Sequence, residues 1–87
     1  MNVIIYGKDK CSFCDKAKKW FESRDISYEY RKIDESELYY EMFCNLFESK
    51  EKKTVPQIII DNKHIKGYDE LLKSNIAFEI DTKSLFD

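Results

Sequence analysis

"NVIIYGKDKCSFCDKAKKWF" (residues 2–21) runs from a β-branched apolar segment, through a glycine and a charged loop, into two cysteines spaced C-x-x-C. The run "NVIIY" (2–6) does not alternate, so it reads as a strand buried on both faces in a central position of a sheet. From Ser12 to Arg24, Phe13, Ala17, Trp20 and Phe21 recur at helical spacing with lysines between them, which predicts an amphipathic helix. Cys11 then falls at the first turn of that helix, where backbone N–H groups are unpaired and the positive end of the helix dipole lies close. Both favour a thiolate over a thiol, and Lys8 and Lys10 add positive potential, so Cys11 is expected to ionise more readily than an ordinary cysteine. Cys14 lies on nearly the same face and within reach of Cys11. The arrangement suits a reversible disulfide, with attack by Cys11 and resolution by Cys14.

Taken alone, the motif leaves three readings open: a redox pair, half of a metal site, or two small buried residues. A metal site needs four ligands, usually from two such pairs. Only Cys44 and His64 remain to complete one, and neither has a partner at metal-ligand spacing, so no metal is expected. The coincidence of strand, C-x-x-C and helix favours the redox pair.

Outward from this unit, "ISYEYRKID" (26–34) alternates and predicts a second strand. "DESELYYEMFCNLFESKEK" (34–52) predicts a helix, with Asp34 as N-cap and Glu37 completing a capping box. That helix must stop before Pro56, because the residue preceding a proline is pushed into extended geometry. "PQIIID" (56–61), the turn "DNK" and "HIK" (64–66) predict a hairpin. Gly67 breaks it, and "YDELLKSNIAF" (68–78) predicts a closing helix. Pro56 is compatible with a cis bond that leaves the Val55 backbone free to pair with an extended peptide, and equally with a trans bond that merely starts the strand.

The order is β-α-β-α-β-β-α, an α/β fold. A right-handed parallel crossover and an antiparallel hairpin build a mixed four-stranded sheet flanked by helices. One domain over residues 1–78 accounts for the pattern, and the tail 79–87 has no assigned order.

Composition limits the function classes. The 87 residues carry a net charge of −2, without the basic excess of a nucleic-acid binder, and Lys16, Lys18 and Lys19 read as the solvated face of the first helix. No stretch approaches the ~20 apolar residues of a membrane span, and "MNVIIYGK" lacks the apolar core of a signal peptide. The expectation is a soluble, cytoplasmic protein whose three cysteines are not a structural disulfide framework. Trp20 is expected in the core, Cys44 as a buried or half-buried free thiol beside Phe43 and Phe47, and His64 at the surface.

"CSFC" (11–14) after a first strand, "TVPQIIIDNKHIKGYDEL" (54–71) and the order of elements together resemble the glutaredoxins of the thioredoxin-fold superfamily, from about Asn2 to Ala77. The resemblance implies a monomeric, glutathione-dependent thiol–disulfide oxidoreductase. In it Cys11 is the nucleophile, Cys14 the resolving thiol and glutathione the reducing co-substrate. It also implies that Pro56 is a cis-proline flanked by Thr54 and Val55, with the Val55 main chain pairing with the cysteine of glutathione. Gly67, Tyr68 and Asp69 match the segment that holds the γ-glutamyl end, Asp69 pairing with its ammonium. Lys8 and Lys53 match basic positions near the glycine carboxylate, and Phe13 stands where a tyrosine is common. Read from the residues alone, the two lysines serve equally well as solvated surface, and Asp69 as a helix cap.

Clients implied are disulfide-containing or glutathionylated proteins, with ribonucleotide reductase as one candidate. Three departures stand out: Ser12 replaces the usual proline, Phe13 lacks the phenol that a tyrosine would offer to the glycine end of glutathione, and Lys66 stands where many relatives carry a second glycine, so that it crowds or recharges the rim. A serine at that place also occurs in glutaredoxins that carry a glutathione-ligated iron–sulfur cluster, which supplies an alternative function. A thioredoxin-reductase-dependent disulfide reductase is a third, disfavoured by the "TVP" and "GYD" elements.

Overall fold

The computed structural model describes residues 1–77 and residue 79. Its elements are β1 (Val3–Gly7), α1 (Ser12–Glu22), β2 (Glu29–Lys32), α2 (Glu37–Cys44), β3 (Gln57–Ile60), β4 (Lys63–Ile65) and α3 (Tyr68–Lys73). The order is the expected one. The sheet runs β2-β1-β3-β4, with β1 parallel to β2 and antiparallel to β3, and β3 antiparallel to β4. β1 is therefore an inner strand, which explains why its sequence is apolar without alternation.

Register divides the side chains between two layers. Val3 pairs with Ile60 and Ile5 with Ile58, which pairs in turn with Ile65, so these five share one face. They are buried together with Ala17, Trp20 and Phe21 of α1 and Leu71 of α3. The opposite face carries Tyr6 opposite Arg31 and Gln57. There the Arg31 guanidinium donates to the Tyr6 hydroxyl at 2.7 Å and lies over the Tyr39 ring of α2. Helices α1 and α3 thus cover one side and α2 the other, the two-faced cover that a buried mixed sheet needs.

Several expected boundaries moved, each for a physical reason. Asp34 does not cap α2. Ser36 does, its hydroxyl accepting the Tyr39 N–H at 3.3 Å, while the Asp34 carboxylate accepts the Asp9 N–H at 3.3 Å from across the sheet end. The helix expected to reach residue 52 ends at Cys44, and turns occupy most of the path to residue 51. Beyond Phe47 the sequence "ESKEKK" (48–53) offers no apolar face to bury, so tertiary packing cannot sustain the helix. The last helix is interrupted at Ser74, whose backbone is extended and whose hydroxyl accepts the Ala77 N–H at 3.2 Å, so it caps a new helical turn. The expected strand 26–34 shortens to Glu29–Lys32 because Ile26 is still tied by its N–H to the Phe21 carbonyl at the end of α1. The expectations for Phe78 and for residues 80–87 lie outside the described residues. Trp20 is in the core, as its helical spacing indicated.

The hairpin turn has two residues, Asp61 and Asn62, both at positive φ (48° and 72°), the geometry that asparagine and aspartate tolerate and that matches strand twist. At the other end of β1, Gly7 is required by a close approach. A Cβ there would meet the Tyr30 ring, with Cζ at 2.7 Å. The ring lying in that space lets the Tyr30 hydroxyl donate to the Lys8 carbonyl at 3.0 Å.

Candidate redox site

Cys11 is the N-cap of α1, with an extended backbone (φ −121°, ψ 108°). Its carbonyl accepts the Asp15 N–H at 3.0 Å, and its Sγ accepts the Cys14 N–H at 3.2 Å. A sulfur thus takes the place that a serine or aspartate oxygen usually fills at a helix start. Cys11 and Cys14 are joined as a disulfide, with Cα atoms 5.2 Å apart. The two sulfurs are not equivalent. Cys14 is fully buried against the core, whereas Cys11 is only half-buried and is followed by the exposed Ser12 and Phe13. An external thiol or disulfide can reach Cys11 and not the buried Cys14, an asymmetry that suits attack at Cys11 and resolution by Cys14.

The loop that presents Cys11 is held at Gly7, Lys8 and Asp9. The Gly7 carbonyl accepts the Ile33 N–H at 2.9 Å, the Lys8 carbonyl is bound by Tyr30, and Asp9 is bound by Asp34 and by the Lys32 ammonium at 3.1 Å. Lys10 turns the chain into the helix with a positive φ of 54°.

Facing this loop, the Val55–Pro56 bond is cis, which resolves the two readings of Pro56. Beneath it lies Gln57, a fully buried polar side chain. Its amide nitrogen donates to the Thr54 carbonyl at 2.9 Å, which turns its oxygen toward His64 Nε2 at 2.6 Å. Since that oxygen only accepts, His64 must carry its proton on Nε2. His64 was expected at the surface. It is instead half-buried on β4 and braces the Thr54–Pro56 segment through Gln57, and burial pushes its protonation below the ordinary histidine value. Alternation along β4, with Ile65 inward on one face and His64 on the other, is the signal that would have revealed this.

Two hollows flank the segment and share Val55. The smaller, about 160 Å³, is lined by Phe13, Val55, Pro56, Lys66, Gly67, Tyr68 and Asp69. The larger, about 430 Å³, is lined by Lys8, Ile33, Tyr40, Phe43, Lys53, Thr54 and Val55. All nine non-cysteine candidate residues therefore line one hollow or the other. Ile33, Tyr40, Phe43 and Lys66 line them too and were not among those candidates. Tyr40 and Phe43 belong to α2, whose approach to this side could not be read from local sequence. Charge is distributed unevenly: Lys8 and Lys53 are the charged groups of the larger hollow, while Asp69 and Lys66 put opposite signs into the smaller.

Lys66 is also bound to Glu51 across 2.5 Å. That pair lowers the Glu51 carboxyl below its ordinary range and raises the Lys66 ammonium above its own.

A still larger hollow of about 520 Å³ sits on α2 around Glu37, Tyr40, Glu41, Cys44 and Asn45, and neither cysteine of the disulfide lines it. Cys44 is a half-buried free thiol, as expected, and its hydrogen bond with Tyr40 pushes the phenol's pKa above its ordinary value, so that it ionises less readily. Among the described residues no three His, Cys, Asp or Glu side chains are grouped to hold a metal ion, and no helix is long and apolar enough to cross a membrane.

A C-x-x-C disulfide at the start of α1, beside a cis-proline segment on a β2-β1-β3-β4 sheet, is the arrangement of a thioredoxin-like fold. The glutaredoxin family model matches residues 3–65. Glutaredoxin-C6 of Oryza sativa subsp. japonica is 34% identical over 73 residues, 84% of this chain, which spans 65% of the rice protein's length. Glutaredoxin 3 of Escherichia coli strain K12 is 37% identical over 70 residues, covering 80% of this chain and 81% of that protein. Among solved structures, a buckwheat glutaredoxin–glutathione complex superposes with a TM-score of 0.75 at 23% identity, covering 90% of this chain and 71% of that one. The chain belongs to the glutaredoxin family.

Proposed function

We propose that the protein is a glutathione-dependent oxidoreductase that reduces protein disulfides and glutathione mixed disulfides. The observation that carries this reading is the charge pattern of the two hollows on either side of Val55. Glutathione has a carboxylate at its glycine end, a cysteine in the middle and an ammonium with a second carboxylate at its γ-glutamyl end. Lys8 and Lys53 offer cations on one side, and Asp69 offers an anion on the other. Val55, common to both, offers main-chain groups to the middle residue, as one rung of an added strand. The glutathione bound in the structurally similar buckwheat protein supports the reading.

Electrons then move by thiol–disulfide exchange. The Cys11 thiolate attacks a client disulfide, one client thiolate leaves, and Cys14 attacks the mixed disulfide to release the second, leaving the Cys11–Cys14 bond seen here. A first glutathione thiolate opens that bond at the accessible Cys11 and forms a Cys11–glutathione disulfide. A second attacks the glutathione sulfur, which yields oxidised glutathione and the free dithiol. With a glutathionylated client, the Cys11 thiolate takes the glutathione directly and Cys14 is not needed.

The test is turnover of a glutathione mixed disulfide coupled to glutathione reductase and NADPH. Activity should vanish in Cys11→Ser and largely persist in Cys14→Ser. Reduction of the parent by thioredoxin reductase but not by glutathione, or a protein purified anaerobically with the absorbance of an iron–sulfur cluster and no turnover, would overturn the reading.

A further inference from the structure

Two of glutathione's three charges have complements in the pattern above: the glycine carboxylate with Lys8 and Lys53, and the ammonium with Asp69. The third, the α-carboxylate at the γ-glutamyl end, sits on the same carbon as the ammonium, so its partner must lie in the same hollow as Asp69. A hollow of about 160 Å³ is too small for a whole tripeptide but suits an end group. The cation among its lining residues is Lys66. We propose that Lys66 is a specificity residue of this protein, which pairs with the α-carboxylate of the γ-glutamyl group while Asp69 takes the adjacent ammonium. The proposal rests on the glutathione reading above.

The local geometry favours this use. Lys66 directly precedes Gly67, whose φ of 102° turns the chain from β4 into α3 and sets Lys66 and Asp69 on the same rim. Its ammonium is held by Glu51 at 2.5 Å, and Glu51 also accepts the Glu48 N–H at 3.1 Å. A four-carbon side chain that would otherwise sample many rotamers is thereby confined at the edge of the hollow. An ammonium has three N–H donors, and Glu51 occupies one direction. The remaining donors can meet a ligand carboxylate without breaking that pair. Glu51 is in this sense a positioning residue, and it also ties the segment before Thr54 to the segment carrying Asp69.

The test separates this claim from the one beneath it. In the Cys14→Ser variant, thiols compete at equilibrium for the disulfide with Cys11, and mass spectrometry reads the ratio of adducts. Three thiols are compared: glutathione, cysteinylglycine, which lacks the γ-glutamyl group, and 4-aminobutanoyl-cysteinylglycine, which keeps the ammonium and lacks only the α-carboxylate. With Lys66 present, glutathione should exceed the aminobutanoyl analogue by about three- to tenfold. Lys66→Met should bring that ratio close to one, and Lys66→Arg should retain most of it. In the Cys14-containing enzyme, Lys66→Met should raise KM for glutathione with little change in kcat.

If glutathione beats cysteinylglycine but the aminobutanoyl ratio is one, or is unmoved by Lys66→Met, Lys66 has no such role and the glutathione reading stands. If glutathione does not beat cysteinylglycine, the glutathione reading itself falls, and this proposal with it. Lys66 is exposed, so the variants' melting temperatures are expected to match the parent's, a measurement that checks that folding is not the cause.

Discussion

The backbone N–H of Cys14 donates to Sγ of Cys11 across 3.2 Å, so the helix start is capped by the more accessible sulfur of the pair. Once the disulfide is opened, the same N–H is placed to stabilise negative charge on that sulfur. Alkylation of the reduced protein at pH 6–7 should therefore label Cys11 at least tenfold faster than the buried Cys14, read by peptide mass mapping. The Cys11 rate should reach half its plateau below the ~8.5 of an ordinary thiol. Equal labelling of both cysteines would contradict the asymmetry in burial.

His64 links acidity to stability. Burial, and then the nearby Lys66, favour its neutral form in the fold, while Glu51 and Glu70 oppose this more weakly. The folded value is thus depressed below 6.5, and the unfolded chain takes up the proton first as pH falls. The contribution is complete above about pH 6.5 and is lost as pH falls through the folded value. Urea midpoints should decline from pH 7 to pH 5.5, and His64→Gln should flatten that decline.

Gly7→Ala puts a methyl group where the Tyr30 ring lies. The ring must move and surrender its bond to the Lys8 carbonyl, a loss of about 1–3 kcal/mol by overpacking. Because the same ring braces the loop before Cys11, turnover should fall along with the denaturation midpoint. Tyr30→Phe should cost less, about 1 kcal/mol for the hydrogen bond alone.

Ser36 takes the capping role that the sequence suggests for Asp34, and Asp34 binds the loop at Asp9 instead. Ser36→Ala should lower stability by about 1 kcal/mol through loss of the α2 cap. Asp34→Ala should leave α2 intact and instead loosen the loop at Asp9, seen as faster amide exchange there.

The fold was readable because its decisive signals are local. A non-alternating apolar run marks the inner strand, helical spacing of Ala17, Trp20 and Phe21 marks the covering helix, and Asp61-Asn62 marks the tight hairpin. The candidate site was readable through three separated motifs that the topology brings around Val55. What escaped was decided by tertiary geometry. The Asp34 carboxylate is drawn away from the nearest helix by the loop at Asp9, and His64 is drawn inward by Gln57. Tyr40 and Lys66 line hollows that exist only once α2 and the hairpin have packed. The resemblance marked Lys66 as unusual, but its pairing with Glu51 spans fifteen positions and had no local trace.

The unequal burial of the two sulfurs imposes an order of events. Cys14 is sealed against the core, so an outside thiol or disulfide cannot meet it first, and only a group already bonded to Cys11 comes within its reach. Oxidation from outside and reduction from outside must both pass through one atom. The pair works as a turnstile with a single entrance: whatever exchanges with it must bond to Cys11 before Cys14 takes part.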